Sequence, residues 1–207
     1  MYFEIILLDG GTFPLSDASA LLMRLELHGV DVKERARELT PLWEKHNDNF
    51  VSLFYEGHAC FNNLLAGDTA ANTVLIDNMR DYINDNRKVS FSSRFCSKYF
   101  SQGWNKDVVT KVGIDLMEGI NAFFAGDYNT SIDLLDRIMP ELQSSIQGSW
   151  AQKSIFRQIL LEACIRSGTK PHLALARQIL HQNMVDRKIK SPTPANQRLL
   201  DKILAMA

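Results

Sequence analysis

The chain has 207 residues, of which 45% are hydrophobic and 23% charged, and its net charge at neutral pH is −1. This length and composition suit one globular domain or one stretch of a repeat array, and the small net charge provides no overall field that favours nucleic acid or an anionic membrane. No run of residues approaches the ~18 apolar positions of a membrane span. Three widely spaced cysteines without a CxxC pair favour a reducing compartment, so we expect a cytoplasmic protein.

The N-terminus begins inside a hydrophobic pattern. An apolar run over residues 5–8 follows Met1 with no helix cap, no basic segment and no signal-peptide cleavage site. We interpret this run as the end of a helix whose beginning is missing, and therefore expect a fragment of a longer repeat array. Its apolar side chains would then favour self-association through the exposed N-terminal end.

Amphipathic helical patterns follow one another through the first half of the chain, each with apolar residues three or four positions apart. Gly29 and Gly67 follow two of these patterns, where a left-handed helix cap is expected because only glycine adopts positive φ without penalty. Pro41 should kink or end the pattern that contains it. The predicted helices extend from a cap at Ser16 or Asp17 to about His28, from a cap at Asp31 to the turn at His46, from Phe50 to Leu65, and from a cap at Thr69 to about Asn84.

Residues 85–106 interrupt this rhythm with basic and aromatic side chains set among one another. Single-stranded nucleic acid binders combine cations with stacking aromatics in this way. However, Phe91, Phe95 and Tyr99 are four residues apart, which is the core spacing of a helix. We therefore predict an inserted segment with a short helix from about Ser93 to Gln102 that packs on its neighbours, and we regard nucleic acid binding as the less favoured alternative.

The helical pattern returns in the second half, where Gly126 and Gly168 again mark turns. Leu199, Leu200 and Ile203 are predicted to cover the end of the array as a capping helix. The predicted helices cover residues 109–124, 128–142, 156–164, 171–180 and 194–204, the last of them capped by Thr193.

The glycine spacing indicates a repeat. Gly29 and Gly67 are 38 residues apart, and Gly126 and Gly168 are 42 apart, slightly longer than the ~34 residues of a tetratricopeptide repeat. The intervening spacing of 59 residues leaves room for the insertion. We predict an all-α fold: a two-helix-repeat, tetratricopeptide-like α-solenoid with a right-handed superhelix, spanning residues 1–207 as a single domain.

Specific strings extend this prediction to a family. AGDYNTSIDLL, over residues 125–135, resembles the middle of a tetratricopeptide repeat, with Gly119 and Leu135 at the expected small and large positions and a departure at Asp115. LLMRLELHGVDV, LFYEGHACFNNLLAGD, GIDLMEGINAFFAGD and GSWAQKSIFRQILLEAC resemble the C-terminal half of the tetratricopeptide repeat protein 38 family. The resemblance covers most of the chain and is weakest over residues 85–104. It implies a cytoplasmic helical-repeat protein without its N-terminal repeats, and it carries over no catalytic residue.

The string YEGHAC holds the most reactive side chains, Glu56, His58 and Cys60. Together they suggest a metal site or an activated thiol. On a helix, however, positions i and i+2 point to different sides, so the three side chains should not converge. A partly buried histidine bonded within the helix stack is the favoured interpretation. Since the sequence has no zinc, phosphate-loop or nucleophile-elbow pattern, we predict no catalytic residue, no cofactor and no metal.

Stacked helical hairpins expose their first helices on a concave side. Asn62 and Asn63 could there bond an extended peptide, and with Glu56 and His58 they form the predicted binding surface. We predict a non-enzymatic helical-repeat scaffold that mediates protein–protein interaction, with a partner that the sequence does not identify. The alternative is a small-molecule-binding or enzymatic protein whose site is completed by the missing N-terminal repeats.

Overall fold

The computed structural model describes residues 11–46, 52–84 and 102–206. Within these ranges the chain forms helices joined by short turns and contains no strand, which confirms the all-α prediction. The helices are α1 (Thr12–Leu27), α2 (Lys33–Glu44), α3 (Leu53–Ala66), α4 (Thr69–Asn84), α5 (Gln102–Val108), α6 (Ile114–Ala125), α7 (Tyr128–Ser145), α8 (Trp150–Ser167), α9 (Lys170–Asp186) and α10 (Pro194–Met206), with a π-helical turn (Val109–Gly113) that joins α5 to α6.

The turns between paired helices have the predicted glycine geometry. All four glycines have positive φ: 81° at Gly29, 77° at Gly67, 78° at Gly126 and 66° at Gly168. An N-cap residue follows directly at three of these turns. The caps are Asp68, which accepts from Ala71 N at 2.9 Å, Asp127, which accepts from Thr130 N at 3.2 Å, and Thr169, which accepts from His172 N at 3.4 Å.

Several predicted helix starts are wrong. Val32 and not Asp31 is at the N-cap position of α2, and α3 begins at Leu53 after the cap Ser52 and not at Phe50.

Helix α1 begins at Thr12, and the Ser16 hydroxyl lies within the helix, where it donates to Thr12 O at 2.6 Å. Asp68 caps α4, although Thr69 was the predicted cap. At α4 two capping side chains, Asp68 and Thr69, are adjacent, and side-chain preference alone does not choose between them. At α1 the N-cap residue is Gly11, which has no side chain to mark the start in the sequence.

The two internal prolines do not end their helices. Helix α2 contains Pro41 and continues to Glu44, and α7 contains Pro140 and continues to Ser145. Of the two effects predicted for Pro41, a kink or the end of the regular helix, the second is therefore wrong.

Several predictions concern residues that lie outside the described ranges. They are the apolar N-terminal end over residues 1–10, the predicted helix from Ser93, and the helical register of Phe91, Phe95 and Tyr99. The described part of the 85–106 segment begins with α5, which continues through the π-helical turn into α6.

The helices pair into four hairpins, α1–α2, α3–α4, α6–α7 and α8–α9. The first helix of each hairpin packs against the first helix of the next, so that α1 contacts α3, α3 contacts α6 and α6 contacts α8. Each of the first three second helices, α2, α4 and α7, packs against its own partner and against the first helix of the following hairpin. The order of contacts is therefore the same from one hairpin to the next.

The first and fourth hairpins also contact each other. The Arg24 guanidinium on α1 donates to Ala151 O on α8 at 2.7 Å, and Gln152 Nε2 donates to Asp17 Oδ1 at 2.9 Å. Helices α1, α3, α6 and α8 thus form a closed inner ring, whereas in an open array each repeat contacts only its neighbours. The predicted concave side lined by exposed first helices is not found among the described residues.

The burial pattern gives the physical reason for this closure. Helix α3 buries twelve of its fourteen residues, so it needs packing partners on nearly all sides. Helix α2 buries four of its twelve residues, along one stripe. A helix that is buried to the extent of α3 is stable only when other helices surround it. The second helices, which bury one stripe, form the outer layer.

Helix α10 covers the end of the last hairpin as predicted. Its Ile203 side chain is fully buried, and Leu199 and Leu200 pack against the core in partly buried positions.

Candidate functional site

The four residues of the predicted binding surface all lie on α3. This helix begins because the Ser52 hydroxyl accepts from Phe54 N at 3.3 Å, and it ends at the left-handed Gly67. The exposed fractions are 6% for Glu56, 0% for His58 and Asn62, and 1% for Asn63. The prediction that they form an exposed surface is wrong, because α3 is part of the inner ring and is covered on nearly all sides.

These side chains are divided between two faces of α3. Glu56, Cys60 and Asn63 have helical spacing i, i+4 and i+7 and share one face, on which Cys60 Sγ lies 3.9 Å from Met117 O of α6. His58 and Asn62 share a second face, on which Asn62 contacts α1 and α2. Glu56, His58 and Cys60 therefore do not converge, which confirms the prediction from their spacing.

Asn62 is the centre of a hydrogen-bond network that joins three helices. Its Nδ2 donates to Ala36 O at 3.2 Å and to Thr40 Oγ1 at 3.4 Å. Its Oδ1 accepts from the Ser19 hydroxyl at 3.4 Å, and that hydroxyl accepts from Trp43 Nε1 at 3.0 Å. Because both ends of the amide have partners, Asn62 stabilises the packing of α1, α2 and α3 and is not available to a peptide.

His58 is a neutral imidazole in an aromatic environment. Its Nδ1 lies 2.6 Å from Phe54 O, and since a carbonyl only accepts, Nδ1 carries the proton. The rings of Phe54, Phe61 and Phe156 lie 4.2, 5.0 and 5.3 Å from the imidazole, centroid to centroid. Burial lowers the His58 pKa to about 3; the bond to Phe54 opposes this shift and the Arg24 charge adds to it. Nε2 has no hydrogen-bond partner among the described residues.

Glu56 is a buried carboxylic acid. Burial raises its pKa to about 8, against the opposing effect of backbone hydrogen bonds from Glu56 and Ser52, so the group is mainly protonated at neutral pH. Its Oε2 has no hydrogen-bond partner in the described part of the chain. Burial raises the pKa of the nearby Tyr82 phenol, the Glu56 charge raises it further, and a hydrogen bond with Asn105 opposes the shift.

The thiols give no support to the activated-cysteine hypothesis. Burial raises the pKa of both Cys60 and Cys164 to about 12, and the Asp136 charge adds to the shift at Cys164. Both thiols are therefore protonated near neutral pH. Across residues 11–46, 52–84 and 102–206, no group of three His, Cys, Asp or Glu side chains could hold a metal ion.

A cleft of about 430 Å³ lies outside the inner ring, between α2 and the α3–α4 turn. Two of its charged side chains are already engaged: Arg37 pairs with Glu34 at 2.5 Å and donates to Ala66 O at 3.2 Å, and Asp68 caps α4. Sequence patterns did not indicate this cleft, because its walls come from separate helices. The lining residues are Arg37, Thr40, Pro41, Glu44, Ala66, Gly67 and Asp68.

The last hairpin, taken together with its covering helix α10 from residue 163 onward, carries a charge imbalance that the overall composition conceals. Residues 163–206 contain eight Lys or Arg and two Asp, a net charge of +6, so the remainder of the chain has a net charge of −7. The sequence contains this signal when charge is summed by segment, although the net charge of the whole chain is only −1.

No model of a known protein family matches the sequence, and no solved structure matches it at a significant level. Among the described residues, no helix has the length and apolar character needed to cross a membrane. The resemblance to the tetratricopeptide repeat protein 38 family stays a prediction from the quoted strings.

Proposed function

We propose that this protein is a non-enzymatic, cytoplasmic helical-repeat scaffold of the tetratricopeptide type that mediates protein–protein interaction. The observation that carries the proposal is the recurring order of contacts, in which each first helix packs on the next and each intermediate second helix packs between two first helices. Repeat proteins with this order serve chiefly as binding surfaces.

The third hairpin supports the repeat assignment at close range. A Cβ atom added to Gly119 would lie 2.8 Å from carbon atoms of Leu135, so only glycine allows α6 and α7 to approach this closely. Ser131, fully buried, lies on α7 where the resemblance places a small residue.

The second hairpin has related residues at the same offset. Cys60, Asn72 and Ile76 precede Gly119, Ser131 and Leu135 by 59 residues, which is also the distance from Gly67 to Gly126. All three side chains are buried in the described structure. Two hairpins thus use corresponding positions for their internal contact, which favours a repeat over an irregular bundle.

Because the inner ring is closed, a concave groove lined by the first helices is not the proposed binding site. Since the first helices bury one another, the surfaces open to a partner are the outer faces of the second helices, the turns and the last hairpin. Partner recognition is therefore assigned to this outer layer.

The test combines cross-linking with reconstitution. The folded protein is cross-linked in a cell extract, the recovered candidates are purified, and direct binding is measured by calorimetry. A partner that binds with a Kd below about 10 μM, with cross-links on second helices or the last hairpin, would support the scaffold. Gly119→Leu, which disrupts the α6–α7 contact, should abolish that binding, whereas Gly126→Asn, at an open left-handed position, should preserve it. Failure of every purified candidate to bind directly would overturn the proposal.

A further inference from the structure

The last hairpin, taken together with α10 over residues 163–206, has a strong positive charge that few ion pairs neutralise in the described structure. Of its eight cations, Arg166 pairs with Glu162 at 2.9 Å. The other seven make no ion pair within the part of the chain that the structure describes, and six of them are exposed, Arg177 being partly buried. We name them the last-hairpin cations: Lys170, Arg177, Arg187, Lys188, Lys190, Arg198 and Lys202.

The two aspartates of this segment are already engaged by other side chains. Asp186 accepts from Arg157 at 2.7 Å and from Gln182 at 2.6 Å, and Asp201 accepts from Gln197 at 2.8 Å. The Arg157 partner comes from α8, so Asp186 is used to join α8 to α9. Local acids therefore leave the positive charge of the surface largely uncompensated.

The turn between α9 and α10 has a defined backbone. Lys188 adopts a left-handed conformation with φ of 54°, its N donates to Val185 O at 3.0 Å, and Ile189 N donates to Met184 O at 2.9 Å. The Arg187 guanidinium lies over the Trp150 ring, 4.6 Å from its centroid. These contacts hold part of the cationic surface in place before any partner binds, which lowers the entropic cost of association.

We propose that the last hairpin docks an acidic segment of a partner polypeptide. This inference rests on the proposed scaffold function and names the chemistry of its partner. The carboxylates of such a segment would pair with the last-hairpin cations, and the complementary charge would accelerate association and make it sensitive to salt.

The distribution of charge favours a short acidic segment over nucleic acid. The remainder of the chain has a net charge of −7 and would repel a long polyanion that extends beyond the hairpin. A polypeptide segment can place its acidic residues on the hairpin alone.

The orientation of α10 disfavours a membrane surface. Helices that insert at a membrane surface present a continuous apolar face to the lipid. In α10, Leu199, Leu200 and Ile203 instead face the protein core, and the exposed apolar residues Leu204 and Met206 lie only at the C-terminal end of the helix.

The test measures anisotropy of a labelled peptide of alternating glutamate and serine, with a glutamine–serine peptide as the uncharged control. The protein variant Lys190→Glu/Arg198→Glu reverses two exposed cations of the last hairpin. The matched variant Lys33→Glu/Lys45→Glu makes the same change in net charge at exposed positions on and beside α2. Thermal unfolding of both variants should match that of the wild-type protein, which establishes that they fold.

We expect the acidic peptide to bind in a salt-dependent way and the glutamine peptide not to bind. The last-hairpin variant should weaken binding by about tenfold, and the α2 variant by less than about twofold. Equal weakening by both variants, or the absence of salt-dependent binding, would overturn the inference. Tighter binding to single-stranded DNA or to phosphatidylserine vesicles would overturn the assignment to a polypeptide. If a reconstituted partner binds both variants equally, the scaffold function stands and only this surface assignment fails.

Discussion

The buried polar side chains of α3 differ in whether they have hydrogen-bond partners. Around Asn62, the Ser19 hydroxyl, the Trp43 indole and the amide itself all have partners. At Glu56 and His58, one polar atom of each side chain has no partner among the described residues. A satisfied buried network stabilises the fold, whereas an unpaired buried atom retains its desolvation cost. Burial alone therefore does not distinguish a stabilising polar residue from a destabilising one.

The contrast is sharpest between Asn62 and its neighbour Asn63. Both are buried amides, but neither side-chain atom of Asn63 has a partner within the described chain. A rotation of about 100° per residue directs the two amides to different neighbours. We make four predictions, from the largest expected effect to the smallest. The first three test this comparison, and the fourth tests the burial of α3.

The alkaline stability of the protein should depend on Glu56. Because its pKa is raised from 4.5 to about 8, the unfolded state loses a proton between these pH values while the folded state retains it. Stability should therefore fall as pH rises through this window. The difference in unfolding free energy between Glu56→Gln and the wild-type protein should shift in favour of the variant by roughly 3 to 5 kcal/mol from pH 4 to pH 9. Urea unfolding at the two pH values measures this shift. Glu44→Gln, at an exposed position, is the control, and parallel pH profiles for the wild-type protein and Glu56→Gln would contradict the assignment.

Acid stability should depend on His58 with the opposite sign. Its pKa is lowered from 6.5 to about 3, so the unfolded state gains a proton in this window and the folded state does not. Stability should fall as pH falls from 6.5 towards 3. His58→Phe retains a ring among the three phenylalanines and should reduce the stability loss between pH 7 and pH 4 by about 3 kcal/mol.

His181→Asn, which alters an exposed histidine of α9, provides the comparison for this measurement. An unchanged acid limb in His58→Phe would show that His58 is not the group responsible. Together with the prediction for Glu56, this prediction places the maximum stability of the wild-type protein between the acid range controlled by His58 and the alkaline range controlled by Glu56.

The adjacent asparagines should respond differently to one identical substitution. Asn62→Leu removes the partners of Ser19, Thr40 and Ala36 and should cost about 2 kcal/mol of unfolding free energy. Asn63→Leu removes two unpaired polar atoms and should be neutral or stabilising by about 1 kcal/mol. Chemical denaturation at pH 7 measures both, and losses of equal size would end the distinction between the two amides.

The buried thiols should report on opening of the core without changing its stability. In a Cys96→Ser variant, Cys60 and Cys164 are the remaining thiols. Because both are buried and have pKa values raised to about 12, a disulfide reagent should label them at least about a thousandfold more slowly in the folded than in the unfolded protein. Rapid labelling of Cys60 under native conditions would show that α3 is accessible.

Local features of the fold could be predicted from particular residues. Gly67 and Gly126 are readable as turns because glycine tolerates positive φ. The cap that follows was less readable, because Thr69 was predicted for α4 where Asp68 caps the helix. The start of α1 could not be predicted as well, because Ser16 is a good capping residue by preference, whereas the helix begins after Gly11 without a side-chain cap and holds Ser16 in its interior.

The candidate site could be predicted in part. The divergence of Glu56 and His58 follows from helix geometry and needed no structure. Their burial did not follow, because the spacing of apolar residues on α3 is consistent with one covered face or with several. The number of covered faces depends on which helices surround α3, and those contacts join residues far apart in the chain, such as His58 and Phe156.

By itself the sequence determined an all-helical chain, the glycine turns that divide it into hairpins, and the burial of Ile203 where α10 covers the last hairpin. These properties depend on backbone preference and on periodicity within single helices. Only the tertiary structure decided that α1 meets α8, that the first helices form a closed ring, and that Glu56, His58, Asn62 and Asn63 lie inside it. The physical reason is that ring closure depends on long-range packing between apolar faces, and periodicity within a helix cannot specify which distant face will cover it.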